Sequence, residues 1–221
     1  PVTPVGPTHC TPAAGTICTI IGNGEAGVGT NDVAGTSSRM YLPLDMTLGP
    51  NGRLYFLDWN NHVVREQAPD GTVRTVVGTG ELSDGEDPPV PPGAPRVPSP
   101  ALRQRLNHPT GIAFDAQGNM LIAAWHNSMI KRVRNVGTAG SMIEDLCGTG
   151  GRNFGGDGGP ALSAVLDLPV GVAISPSGEV YIADQANQRI RRVNGMDIIN
   201  TVVGTGMAGY SGDNGPALMA Q

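Results

Sequence analysis

The sequence predicts an all-β fold, a β-propeller of four-stranded antiparallel blades, on three observations. One pattern of short apolar runs, turn residues and closing glycines occurs three times along the chain, which marks a repeated structural unit. Glycine and proline are abundant, 33 and 19 of 221 residues, which suits many short strands joined by tight turns rather than helical packing. The second strand of each copy, LYFLD, MLIAA or VYIAD, is nearly continuous in apolar residues and so needs cover on both faces. A single four-stranded sheet cannot bury two faces alone, whereas radial stacking of sheets as blades can.

Taken in order, residues 1–14 read as an extended, Pro-rich arm. GTICTIIGNG (15–24) then matches the ends of the later copies, GTVRTVVGTG, SMIEDLCGTG and DIINTVVGTG. It reads as a stray outer strand, Ile17 to Ile21, that completes another blade. The first full copy covers 42–80, with strands expected at Met46 to Leu48, Leu54 to Asp58, His62 to Gln67 and Val73 to Val77. The second covers 106–150 and the third 166–206. Their equivalent residues Pro43, Pro109 and Pro169 are 66 and then 60 residues apart, a little more than one blade needs, and the excess lies in the connectors. Between strands one and two stand Asn51-Gly52, Gln117-Gly118 and Ser177-Gly178, pairs that favour tight hairpins. Glu81 to Arg105 is an acidic, Pro-rich excursion expected to run extended over the surface, with room for a short helix at Pro100 to Leu106. Residues 207–221 read as the start of a next blade. Three copies and one strand fall short of a ring of about four to eight blades, so the expectation is that the protein continues beyond Gln221.

The third copy carries Leu166, Pro169, Gly171, Asp184, Asn187, Arg189 and Arg191 at spacings that resemble the NHL repeat. The connector GGDGGPALSAVLDLP (155–169), echoed by SGDNGPALMAQ (211–221), is similar to linkers of bacterial secreted NHL proteins. The resemblance implies a propeller, usually of six blades. It implies no activity, because one fold hosts many functions.

Up-and-down order places the connection between strands two and three on the same face as the linker to the next blade, and that face is the candidate binding surface. Its candidate binding residues are Trp59, Asn60 and His62 in copy one, Trp125 and His126 in copy two, and Gln185 in copy three. A protein or a glycan is the expected partner, since Trp at a loop edge beside Asn and His offers a stacking surface. Asp58, Asn61 and Arg65 recur as Asp184, Asn187 and Arg191 and are expected to be structural, with the Asx side chains capping the turn and the Arg bracing the carboxylate. In copy two the Asp becomes Ala124 and the Arg becomes Lys131, while Asn127 stays.

No catalytic residue, metal ligand or cofactor is assigned. HExxH, CxxC and His-x-His spacings are absent, the expected innermost strands carry no His, and the loops of Asp157 and Asp213 lack the clustered carboxylates of a calcium site. Cys147 lies in an apolar run where the sister copies have Val77 and Val203, so it reads as a small buried hydrophobe; Cys10 and Cys18 are a candidate local disulfide. A net charge of −5 argues against nucleic acid, and the absence of any 18-residue apolar run argues against a membrane span. The start at Pro1 is what remains when a signal peptide or upstream region has been removed, and a Cys10 to Cys18 bridge would fit an exported protein, so an extracellular, cell-surface or periplasmic location is expected. The leading function is therefore a binding and interaction scaffold. The alternatives are a metal-dependent propeller lyase or lactonase with ligands in blades outside this sequence, and a structural subunit of a surface assembly.

Overall fold

The computed structural model describes residues 15–82 and 97–221. The N-terminal arm with Cys10, and the centre of the first linker, lie outside the described residues. Blade one consists of β1 (Val33–Ala34), β2 (Pro43–Leu48), β3 (Leu54–Asp58), β4 (Val63–Gln67) and β5 (Thr72–Val77), paired in the order β1-β5-β4-β3-β2. Blade two repeats this with β6 (Ser99–Pro100), β7 (Pro109–Phe114), β8 (Met120–Ala124), β9 (Met129–Arg134) and β10 (Met142–Cys147), in the order β6-β10-β9-β8-β7. Blade three is β11 (Pro169–Ile174), β12 (Val180–Asp184), β13 (Arg189–Val193) and β14 (Ile199–Val203). Every strand pair is antiparallel, and the innermost strands β2, β7 and β11 lie side by side.

Two features go beyond the four-strand expectation. The linker before a blade adds a short fifth strand, β1 or β6, along the outer edge, and in blade three Pro160 bridges Ile198 at the same place. Such cover blunts an edge that would otherwise offer unpaired backbone groups. The innermost strands also begin at Pro43, Pro109 and Pro169, three residues before the apolar pattern suggested. A first strand residue need not donate to the ladder, so proline fits there, and a register shift follows at once. Ala101–Arg103 is a single 3-10 turn where a short helix had room.

The core forms between blades. Tyr55, Leu57, Val64 and Val77 meet Ile112, Met120, Ile122 and Val133 at the first junction. At the second, Leu121, Ala123, Ile130 and Cys147 meet Val180, Ile182, Val193 and Ile199. Alternate residues of β8 thus serve opposite junctions, which is why its sequence is apolar throughout. Near the axis Gly111 packs so closely on the next blade that a Cβ there would lie 3.1 Å from the Gly171 Cα. Asp45 stands at the equivalent place in blade one, and its Oδ2 accepts the Ile112 N–H at 2.9 Å, tying β2 to β7.

Each linker ends in a 3-10 turn that receives the end of the preceding copy. The Gly35, Ala101, Ala161 and Ala217 carbonyls accept the N–H groups of Gly22, Gly78, Gly148 and Gly204 at 2.9 to 3.0 Å. The stretch 15–24 therefore docks as the ends of the blades do, although 17–21 forms no strand among the described residues and Ile17 is 96% exposed.

Candidate binding face

The loops between the second and third strands form one end of the molecule. In blades one and three they are 3-10 turns, Trp59–Asn61 and Gln185–Asn187, closed by a left-handed residue, His62 or Gln188. Ser128 takes the same conformation in blade two. A second left-handed residue precedes each inner strand: Leu42, His108 and Leu168. The two segments are pinned together in every blade, as Asn60, His126 and Ala186 donate their N–H groups to the carbonyls of Tyr41, Asn107 and Asp167.

The recurring Asp, Asn and Arg hold this corner. Asp58 accepts the Tyr41 N–H at 2.7 Å and the Asn61 amide at 2.9 Å, and Asp184 accepts the Asp167 N–H and the Asn187 amide, both at 2.8 Å. Arg191, fully buried, donates to Asp184 at 3.2 Å and to Asp157 at 2.7 Å; Arg65 lies 3.6 Å from Asp58 and donates to the Ser38 hydroxyl and to the Arg39 and Thr30 carbonyls. Burial pushes the Asp58 and Asp184 carboxyls up from the usual range, against their hydrogen bonds and the Arg charges, and it lowers Arg65 against the charge of Asp58. Blade two solves the same problem without a carboxylate at 124. The Asn127 side-chain oxygen takes over the Asn107 N–H at 2.9 Å, and Lys131 pairs with Asp145 at 2.7 Å. Asp157, considered above as a calcium ligand, is a partner of Arg191.

Over this frame the structure gathers the candidate binding residues of copies one and two around a residue absent from the candidate set, His108. Its ring lies 4.4 Å from that of Trp59, 4.5 Å from His62 and 4.9 Å from His126, centre to centre. Trp125 stacks on His126 at 4.1 Å and donates its indole N–H to Gln185 at 3.1 Å, which brings the third blade in. His108 Nε2 is 3.3 Å from Asn60 Oδ1. His62 is nearly buried, and burial, with the charges of His108 and His126 next, lowers it to about 4. It is therefore neutral near pH 7, and its Nδ1 accepts the His108 backbone N–H at 3.2 Å. A groove of about 450 Å³ lies beside the cluster, lined by Leu42, Leu44, Trp59, Thr110, Trp125 and Gln185. The Trp59 indole N–H is buried without an acceptor among the described residues.

The signal for His108 was present in the sequence. Copies one and three have Leu42 and Leu168 in its place, so an imidazole there breaks the repeat as clearly as the tryptophans do. Its partners come from a different offset in the repeat, and spacing along the chain did not show that they meet. Among the described residues no three His, Cys, Asp or Glu side chains converge as a metal-binding group. Cys18 is disulfide-bonded, while Cys147 is free and buried.

A family model described as the Teneurin NHL domain matches residues 142–212. Teneurin-4 of Mus musculus is 31% identical over 165 residues, covering 69% of this chain, and human Teneurin-1 is 28% identical over 175 residues, covering 72%. The chain spans about 6% of the length of these curated relatives. Among solved structures, a Bacteroides thetaiotaomicron protein of unknown function superposes with a TM-score of 0.52 at 17% identity, covering 76% of this chain and 42% of that one. The structural likeness shows the fold.

Proposed function

We propose that this chain, an NHL-repeat β-propeller protein, is an extracellular, cell-surface or periplasmic binding scaffold whose contact surface is the face of strand two-to-three loops and linkers. The observation that carries this reading is the aromatic cluster at the start of the innermost strands. Trp59 and Trp125, from adjacent blades, border one groove with an apolar floor and few polar groups, among them Thr110 and Gln185. That composition suits a partner presenting a flat apolar surface with sparse hydrogen-bonding groups, a protein loop or a sugar face. The similarity to the teneurin NHL domain supports a protein-interaction role and an extracellular or surface location.

Removing both indoles by Trp59→Ala and Trp125→Ala tests it. The paired substitution should leave the strand signature in circular dichroism intact and abolish retention on immobilised glycans or on cells that capture the parent protein. Capture that survives in a folded double variant would remove this face from consideration.

A further inference from the structure

We propose that the pocket beside Arg65 in blade one binds a carboxylate supplied from outside the chain, in the place that Asp157 fills beside Arg191 in blade three. The two corners correspond residue by residue. Asn187 donates its side-chain amide to the Asn153 carbonyl and Asn61 donates its own to the Gly27 carbonyl, each at 2.9 Å. Four residues further along each linker stand Asp157 and Asn31, and four residues after these come the 3-10 turns that begin at Ala161 and Gly35. Asp213 holds the same position before the turn at Ala217. Asn31 is thus a neutral residue in a carboxylate's place, and its Oδ1 is committed to the Thr75 N–H at 2.8 Å.

The consequence falls on Arg65. Arg191 meets two carboxylates, Asp184 at 3.2 Å and Asp157, whose Oδ1 accepts from Nε at 3.1 Å and from Nη2 at 2.7 Å. Arg65 is as deeply buried, yet it has Asp58 alone at 3.6 Å and directs its terminal N–H groups to neutral oxygens of Ser38, Arg39 and Thr30. Its Nε–H, the group that Asp157 engages in blade three, is buried without an acceptor among the described residues. A buried guanidinium is costly unless it is paired, and a carboxylate is its strongest hydrogen-bond partner. Room for one exists in a pocket of about 460 Å³ lined by Arg65 together with Thr30, Asn31, Asp58, Asn61 and Thr75. The side chain of Asn31, an exposed residue, is the group that turns aside to admit it. Asp58 does not forbid a second carboxylate, since Asp184 and Asp157 flank Arg191 in the same way. Blade two has no such vacancy, because Val97 stands at the linker position and Lys131 pairs with Asp145 inside its own blade. The pocket shares no lining residue with the tryptophan groove, so the two sites stand or fall separately.

The test is titration of the isotope-labelled full chain with sodium acetate, against sodium chloride at equal ionic strength, read at the arginine Nε–H resonances. The Arg65 signal, assigned by its loss in Arg65→Lys, should shift saturably, and the melting temperature should rise with acetate. Asn31→Asp, which copies Asp157, should fold, melt above the parent in chloride and weaken acetate binding by about tenfold or more, because its own carboxylate fills the place. Asp157→Asn should add a second saturable response at Arg191. The paired tryptophan substitution should change neither result. A blocked Gly-Asp-Gly peptide identifies the source: tighter binding than acetate assigns the carboxylate to an acidic side chain of a protein partner, and weaker binding assigns it to a small free acid. No saturable shift at Arg65 up to about 100 mM acetate, where even a millimolar site is filled, would overturn the proposal. So would binding that Asn31→Asp leaves unaltered; the corner would then be a closed structural variant of the one in blade three.

Discussion

Cys147 occupies the place of Val77 and Val203 in the other blades, fully buried at the second junction. Burial pushes its thiol up to about 12 from an ordinary value of 9.0, with the Arg191 charge opposing and the Asp184 charge adding to the effect. The unfolded chain therefore releases this proton first as pH rises, while the folded chain keeps it. Stability from this group is complete below pH 9 and falls by about 1.4 kcal/mol per pH unit until the folded thiol ionises. Cys147→Val should cancel that slope. The measurement is urea unfolding of parent and variant from pH 8 to 11, taken as a difference so that tyrosines and lysines common to both drop out. Parallel curves would show that the thiol is not desolvated as the packing indicates.

Gly148 links two elements and shows how a strand end and a loop depend on each other. Its φ is +103°, and a Cβ there would lie 2.7 Å from the Ser128 carbonyl oxygen. The fourth strand must end against the left-handed residue of the loop beside it, and the same approach recurs at Gly78 with His62 and at Gly204 with Gln188. Gly148→Ala should destabilise by about 2 kcal/mol or more, since backbone strain and a clash with main chain act together. A melting shift under a degree or two would refute the close approach. This contact was legible as a repeated Gly-Thr-Gly and nothing more, because sequence shows that a glycine recurs and hides which backbone it meets. The strands themselves were readable: β3 runs Leu54–Asp58 as expected, and the inner strands differed by their proline starts. The outer strands β1 and β6 were not readable, because two residues of linker carry no period. At the candidate binding face the tryptophans stood out by copy comparison, but their meeting with His108 depends on how adjacent blades are placed.

At the scale of the molecule, stability is distributed by how many neighbours a blade has. Blade two is covered on both faces, and every residue of β8 is buried. In blade one Leu44, Met46 and Leu48 are 54, 68 and 67% exposed, and in blade three Val203 is exposed where its counterpart Cys147 is buried. Repeats that contact only their neighbours behave as a chain of coupled units, so within residues 1–221 the central unit has two junctions and each flanking unit has one, and any further blade would add to the flanking units. In residues 1–221 taken by themselves, amide exchange should then be slowest in β8 and β9 and at least about tenfold faster in their counterparts β3 and β4 and β12 and β13, a difference of about 1.4 kcal/mol in local opening. The ordering follows from the junctions and not from hydrogen bonding, because these strands are paired on both sides in all three blades. Uniform protection of these central strands across the three blades would instead mean that the blades open together, and that the tie from Asp45 to Ile112 and the Gly111 to Gly171 approach couple the array more strongly than its apolar faces divide it.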